Sequence, residues 1–173
     1  MEIRLRKLKE KDVEGMLEWM HNKEIQKNFR KPMLLYTREM ALEFIRKARY
    51  ELIDGGSIHF AIVDDLDEYL GTISLKEIDM QSYNAEYAIV LRESMQGKGY
   101  AKNATKKLLK KGFHEYGLQR IYLNVLSDNV KAQKFYEKCG FLYEGEARKS
   151  VVINKEFCSL KWYSILREEY EGN

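Results

Sequence analysis

A chain of 173 residues is the length of one domain, and 45% hydrophobic residues with twelve tyrosines supply a continuous core, which excludes general disorder. Thirty Lys and Arg against 27 Asp and Glu leave a net charge of +3, too nearly balanced for a general nucleic-acid binder. No apolar run approaches the roughly 18 residues of a membrane span, and the opening MEIRLRKLKEKD lacks the apolar stretch of a secretory signal. Cys139 and Cys158 form no CxxC pair and have no histidine beside them, so neither a disulfide framework nor a zinc site is expected. The expectation is a single cytoplasmic domain over residues 1–173, without metal, nucleic acid or membrane among its partners.

In chain order, Ile3 and Leu5 alternate in a short opening strand. Val13, Met16, Leu17 and Met20 keep the i, i+3, i+4, i+7 spacing of an amphipathic helix. Thr37 suits the N-cap of a second helix through Ala41, Phe44, Ile45 and Ala48, with Gly55-Gly56 closing that region. The period then changes. Segments 58–63, 69–76 and 84–91 are short and rich in β-branched and aromatic residues, and polar links between them predict an antiparallel meander. Past residue 99 the helical period returns, with Ala101, Ala104, Thr105, Leu108, Gly112, Phe113 and Tyr116 on one face and Gly117 as its C′ residue. A strand over 119–126 leads to Asp128 as cap of a helix whose buried face is Ala132, Phe135, Tyr136 and Cys139, stopped by Gly140. Strand character resumes at 141–144 and 157–165. The order β, α, α, βββ, α, β, α, ββ predicts an α/β fold with a mixed, mostly antiparallel sheet and helices on its faces.

The segment Gln96-Gly97-Lys98-Gly99-Tyr100-Ala101 joins a strand to a helix N-terminus. Two glycines there let backbone N–H groups converge where the helix dipole favours an anion, a cradle suited to a pyrophosphate. It is not a P-loop, since GxxxxGK[ST] is absent, and Lys102 stands where a dinucleotide fingerprint needs its third glycine. The bare pattern fits a simple connecting turn equally well.

A second segment, Asn124 to Phe141 (NVLSDNVKAQKFYEKCGF), decides between these. Together the two segments resemble the GNAT superfamily of acetyl-CoA-dependent N-acetyltransferases. That family carries a Q/R-x-x-G-x-G/A loop, matched here by Gln96, Gly99 and Ala101, and an N-x-x-A-x-x-x-Y-x-x-x-G-F segment, matched by Asn129, Ala132, Tyr136, Gly140 and Phe141. The opening RLRKLKEKD and the ending SLKWYSILREEY are similar to the branch holding ribosomal-protein N-terminal acetyltransferases and spermidine/spermine acetyltransferases.

The resemblance implies acetyl-CoA as co-substrate and assigns roles residue by residue. The strand edge at Val90, Leu91 and Arg92 would pair with the pantetheine amides as an added strand does. Gln96 and the backbone N–H groups of Gly97, Lys98, Gly99, Tyr100, Ala101 and Lys102 would hold the pyrophosphate. Asn129 would bond the pantetheine arm, Tyr136 would face the sulfur, and Glu86 would take the acceptor's proton directly or through water. Glu93 stands where the branch commonly has proline, and Ser159 where its tail pattern has aspartate.

Elementary chemistry supports Tyr136 separately. A tyrosine is protonated at neutral pH and can hydrogen-bond the thiolate that an amine expels from a thioester. Its helical spacing also fits a plain core residue. Glu86 reads equally as a solvated or cross-strand carboxylate. His21, His59 and His114 lack ligand spacing, Cys139 reads as a structural thiol, and Lys106, Lys107, Lys110 and Lys111 form a solvated basic face. The implied reaction is direct attack of a primary amine on the thioester in a ternary complex. Its rivals are a CoA-binding regulatory protein without turnover and, remotely, a nucleotide-phosphate enzyme. Among acceptors, protein N-termini, polyamines and amino sugars stay open, as does a homodimer.

Overall fold

The computed structural model describes residues 2–172. In chain order the strands are β1 (Arg4–Lys7), β2 (Ile58–Val63), β3 (Tyr69–Asp79), β4 (Asn84–Leu91), β5 (Arg120–Leu126), β6 (Leu142–Ile153) and β7 (Glu156–Leu166). The helices are α1 (Val13–Met20), α2 (Lys23–Gln26), α3 (Arg38–Lys47), α4 (Tyr100–Lys110), α5 (Val130–Lys138) and α6 (Arg167–Glu171). One seven-stranded sheet runs β1-β2-β3-β4-β5-β7-β6. The expected meander is β2-β3-β4, and each of its pairs is antiparallel. Among the seven described strands only β4 and β5 pair in parallel, since α4 carries the chain back across the sheet between them.

Strand alternation divides the core between the two faces. Ala85, Tyr87 and Leu91 of β4 join Ile121, Leu123 and Val125 of β5 against Ala104, Leu108 and Leu109 of α4. Ala61 and Val63 on the opposite face pack against Val13, Met16 and Met20 of α1 and Ala41 and Ile45 of α3. The apolar spacing read from the sequence therefore marks the buried stripes of α1, α3 and α4.

The boundaries differ from expectation in several places, each for a local reason. α3 is capped by Thr37, whose hydroxyl accepts from the Met40 N–H, but it stops at Lys47, well before Gly55. Gly55 and Gly56 instead bond to both backbone groups of Ile78, fastening that turn to the end of β3. α4 gives way after Lys110 to a wider turn over Lys111–Glu115. There Gly112 lies so close to Ile121 that a Cβ would sit 2.6 Å from its Cδ1. Gly117, at φ +70°, ends the run as expected. α5 is capped by Asn129 rather than Asp128, and Gln133 is its most buried residue; Ala132, Phe135, Tyr136 and Cys139 are only half-buried. The short α2 and α6 have no counterpart in the sequence reading. β6 is far longer than 141–144, because it continues as a solvent-facing hairpin arm whose polar run, Glu144–Ser150, hides its strand character.

Candidate functional site

The parallel pair is short. Asn84, Ala85 and Glu86 oppose Arg120, Ile121 and Tyr122, and there the pairing ends. Beyond it β4 stays with β3 to Leu91↔Gly71, while β5 stays with β7 to Leu126↔Leu160. The two central strands therefore part, and the sheet opens from Tyr87 onward. Gly71 keeps the β3 side closed tight: a Cβ there would lie 2.2 Å from the Val90 carbonyl oxygen and 2.8 Å from the Leu91 Cα. No sequence motif pointed to Gly71; its strand position alone, where glycine marks a close backbone approach, was the available signal.

Val90 and Leu91 lie on the parted length of β4, but the third edge residue, Arg92, is already committed. Its N–H donates to the Leu70 carbonyl at 2.9 Å and its own carbonyl accepts from the Met95 N–H at 2.9 Å. Arg92 lies one residue past the end of β4 and is still held to β3 through the Leu70 carbonyl. The Arg92 side chain forks to Glu18 at 2.7 Å and Glu68 at 2.8 Å, clamping the strand exit to α1 and to the β2–β3 turn. Glu93 adds a second tie by accepting from the Asn22 amide at 2.7 Å.

After this clamp, Gly97 and Gly99 take φ +74° and +82°. A Cβ on either would meet no atom within 4 Å, so glycine is required by backbone conformation and not by crowding. Gly99 is the N-cap of α4 and supplies no side-chain acceptor, and the first turn holds no acidic residue. The first N–H groups, with Tyr100, Ala101 and Lys102, therefore keep an anion-favouring terminus. Gln96 reaches the Leu91 carbonyl only at 3.4 Å.

The α4 start is tied to the parting point by a buried hydroxyl chain. Thr105 Oγ1 lies 2.8 Å from the Ala101 carbonyl and 2.7 Å from the Tyr87 hydroxyl. A carbonyl only accepts, so Thr105 donates to Ala101 and Tyr87 donates to Thr105. Sequence reading missed this pair, since Tyr87 and Thr105 each look like ordinary core positions.

Tyr136 stands against Tyr87, ring edge to face with centroids 5.9 Å apart. Its backbone is fixed by the end of α5: the Tyr136 carbonyl accepts from the N–H groups of Cys139 and Phe141, across Gly140 at φ +95°. Its hydroxyl has no hydrogen-bond partner among the described residues. Burial, then the neighbouring Cys139, push the phenol up to about 12, so it is protonated at neutral pH. The Cys139 thiol is itself raised by burial and contributes no thiolate. At the other end of α5, the Asn129 side-chain Oδ1 accepts from the Ala132 N–H at 3.2 Å. That oxygen serves the helix cap, leaving the Asn129 amide N–H₂ for another partner.

Glu86 is the last β4 residue paired with β5, and alternation places it on the face opposite Tyr87. Its Oε1 accepts from Asn124 Nδ2 at 3.3 Å and meets Lys76 Nζ at 3.3 Å. Its charge, after burial, raises the nearby Tyr122 phenol. The three histidines lie apart, and among the described residues no cluster of His, Cys, Asp and Glu is arranged to hold a metal. Of the basic helix face, Lys106, Lys107 and Lys110 line a shallow groove of about 380 Å³ with Glu2 and Tyr170, while Lys111 pairs with Glu115.

Residues 2–142 match the family model described as Acetyltransferase (GNAT) domain. The chain is 29% identical over 156 residues to the spermidine N(1)-acetyltransferase of Vibrio cholerae, covering 90% of each. It is 34% identical over 102 residues to the putative ribosomal N-acetyltransferase YdaF of Bacillus subtilis, covering 59% of this chain and 56% of that protein. Among solved structures, it superposes with a TM-score of 0.86 on the Vibrio cholerae spermidine N-acetyltransferase in complex with CoA and spermine, at 27% identity over 98% of both chains.

Proposed function

This chain belongs to the GNAT acetyltransferase family and is an acetyl-CoA-dependent N-acetyltransferase; from that premise we propose that its acceptor is a polyamine and that Tyr136 and Glu86 divide the chemistry. The carrying observation is the parting of β4 from β5 after Glu86, which leaves Glu86 and Tyr136 at one gap but on opposite faces of the sheet.

Acetyl-CoA enters with its pyrophosphate on the N–H groups from Gly97 to Lys102, beside Gln96. Its pantetheine arm runs along β4 at Val90 and Leu91, with the free Asn129 amide N–H₂ as a further donor. The acceptor approaches from the Glu86 face. Its neutral nitrogen attacks the thioester carbonyl, the N–C bond forms, the C–S bond breaks, and the thiolate leaves beside Tyr136. With its phenol at about 12, Tyr136 acts by hydrogen-bonding the developing thiolate more than by surrendering its proton. The ammonium proton passes to Glu86 or to water.

The polyamine reading is supported by the names of the Vibrio cholerae relative and its solved complex. The ribosomal relative favours a second reading, a protein N-terminus. Relatives named for turnover favour an enzyme over a CoA-binding regulator. We read residues 1–173 as one acetyltransferase domain, supported by a sheet that draws strands from both ends of the chain. A homodimer through the β6–β7 arm is supported by Phe157, 70% exposed, and the half-exposed Val152 opposite it. A cytoplasmic setting is supported by the need for acetyl-CoA.

The test is thiol release from acetyl-CoA with spermidine, spermine, an N-terminal peptide panel and amino sugars. Turnover with polyamines over peptides is expected; turnover with peptides alone selects the second reading, and no turnover with any amine overturns catalysis.

A further inference from the structure

The Glu86 carboxylate does not wait for a cation; it already has one. Lys76 on β3 and Glu86 on β4 are directly opposite in the antiparallel register, and Lys76 Nζ lies 3.3 Å from Glu86 Oε1. Directly opposed charges are the cross-strand arrangement that a sheet favours. Asn124 Nδ2 reaches the same oxygen from β5 at 3.3 Å, so the carboxylate is anchored from both neighbouring strands. Its other oxygen, Oε2, accepts no hydrogen bond from the described residues.

The two partners differ in freedom. The Glu86 side chain is 18% exposed and that of Lys76 34%. The lysine is the partner nearer solvent, on a flexible four-carbon stem, while Glu86 keeps Asn124 if the lysine swings away. A lysine side chain is itself a primary ammonium on an unbranched alkyl chain, the chemical class of a polyamine end. On the same face His59 is bonded through Nδ1 to Ser74 at 2.7 Å and lies against Phe44, adding no second cation beside the pair at neutral pH.

Resting on the acceptor reading above, we propose that Lys76 is a specificity-determining residue, an internal ammonium that holds Glu86 Oε1 and weakens the cleft's grip on cationic acceptors. The protonated acceptor is the form that cannot attack. A lone Glu86 would stabilise that form in the ground state and lower KM without raising kcat. With Lys76 in place the carboxylate is neutralised as a pair, yet Oε2 stays open to the acceptor nitrogen.

The test is a double-mutant cycle on the full chain loaded with CoA, reading the spermidine Kd by calorimetry, with KM and kcat from acetyl transfer alongside. Lys76→Gln should tighten spermidine binding and lower its KM by about three- to fivefold, the size of a partly exposed ion pair, with kcat unchanged or lower. Lys76→Arg, keeping the charge, should behave as wild type and controls for folding. In Lys76→Gln/Glu86→Gln the gain should vanish. An unchanged Kd in Lys76→Gln, or a gain that survives loss of Glu86, overturns the inference. Failure of the wild type to acetylate any amine contradicts the functional reading instead, while the Kd cycle still decides the role of Lys76.

Discussion

The ring of Tyr136 stands edge to face against Tyr87, 5.9 Å between centroids, at the residue where β4 leaves β5. Tyr87 in turn reaches through Thr105 to the Ala101 carbonyl in the first turn of α4. One buried tyrosine thus gauges the distance between the helix that would carry the pyrophosphate and the phenol that would meet the sulfur.

Tyr136→Phe keeps the ring against Tyr87 and Phe141 and removes only the unpartnered hydroxyl. We expect kcat to fall about 10²-fold, the scale of an acid–base or charge-stabilising group. Acetyl-CoA affinity should be little changed. Wild-type turnover in the variant assigns Tyr136 to packing alone.

Gly99→Glu places a side chain at φ +82°, where L-residues are strained, and a negative charge at the α4 N-terminus. Open space around the position predicts a folded variant. Calorimetric titration should show acetyl-CoA binding weakened at least tenfold, an order-of-magnitude expectation from adding an anion where an anion binds. Unchanged affinity in the folded variant contradicts the loop assignment.

Glu86→Gln separates proton removal from acceptor binding. If Glu86 relays the proton, the loss in kcat should shrink as pH rises and more acceptor arrives neutral. If it holds the cation, KM should rise while kcat stays put. A pH–rate profile overlaying wild type leaves water as the proton acceptor.

Thr105→Val fits the same space but strands the buried Tyr87 hydroxyl. A buried donor without a partner costs about 1–3 kcal/mol, so the urea midpoint should fall. Tyr87→Phe/Thr105→Val should recover part of that loss, since neither polar group then remains. A double variant no more stable than Thr105→Val argues against the hydroxyl chain.

His59 gives a pH signature unrelated to catalysis. Burial, then the Lys76 charge, bring its pKa from 6.5 to about 4. Between those values the unfolded chain binds the extra proton, so stability rises with pH across this window and is lost as pH falls from about 6.5 towards 4. The full effect is about 3 kcal/mol. Urea unfolding of wild type and His59→Asn at pH 7.5 and 5 should show a smaller acid loss in the variant; equal losses remove His59 as the cause.

The sequence by itself determined the elements that repeat a period and the turns that need glycine. α1, α3, α4 and the β2-β3-β4 meander are written in apolar spacing, because burying one face is a local demand on every third or fourth, or every second, residue. Gly97, Gly99, Gly117 and Gly140 announce left-handed turns that other residues resist. Two linear motifs sufficed to indicate the family. Tertiary structure alone decided what those motifs face. That β4 and β5 part after Glu86, that Gly71 presses on Val90, that Arg92 is spent on Glu18 and Glu68, and that Lys76 sits on Glu86 all join residues distant in sequence. Periodicity reports which face of an element is buried. It carries no record of which other element lies there, because register and strand order are settled by the packing of the whole sheet.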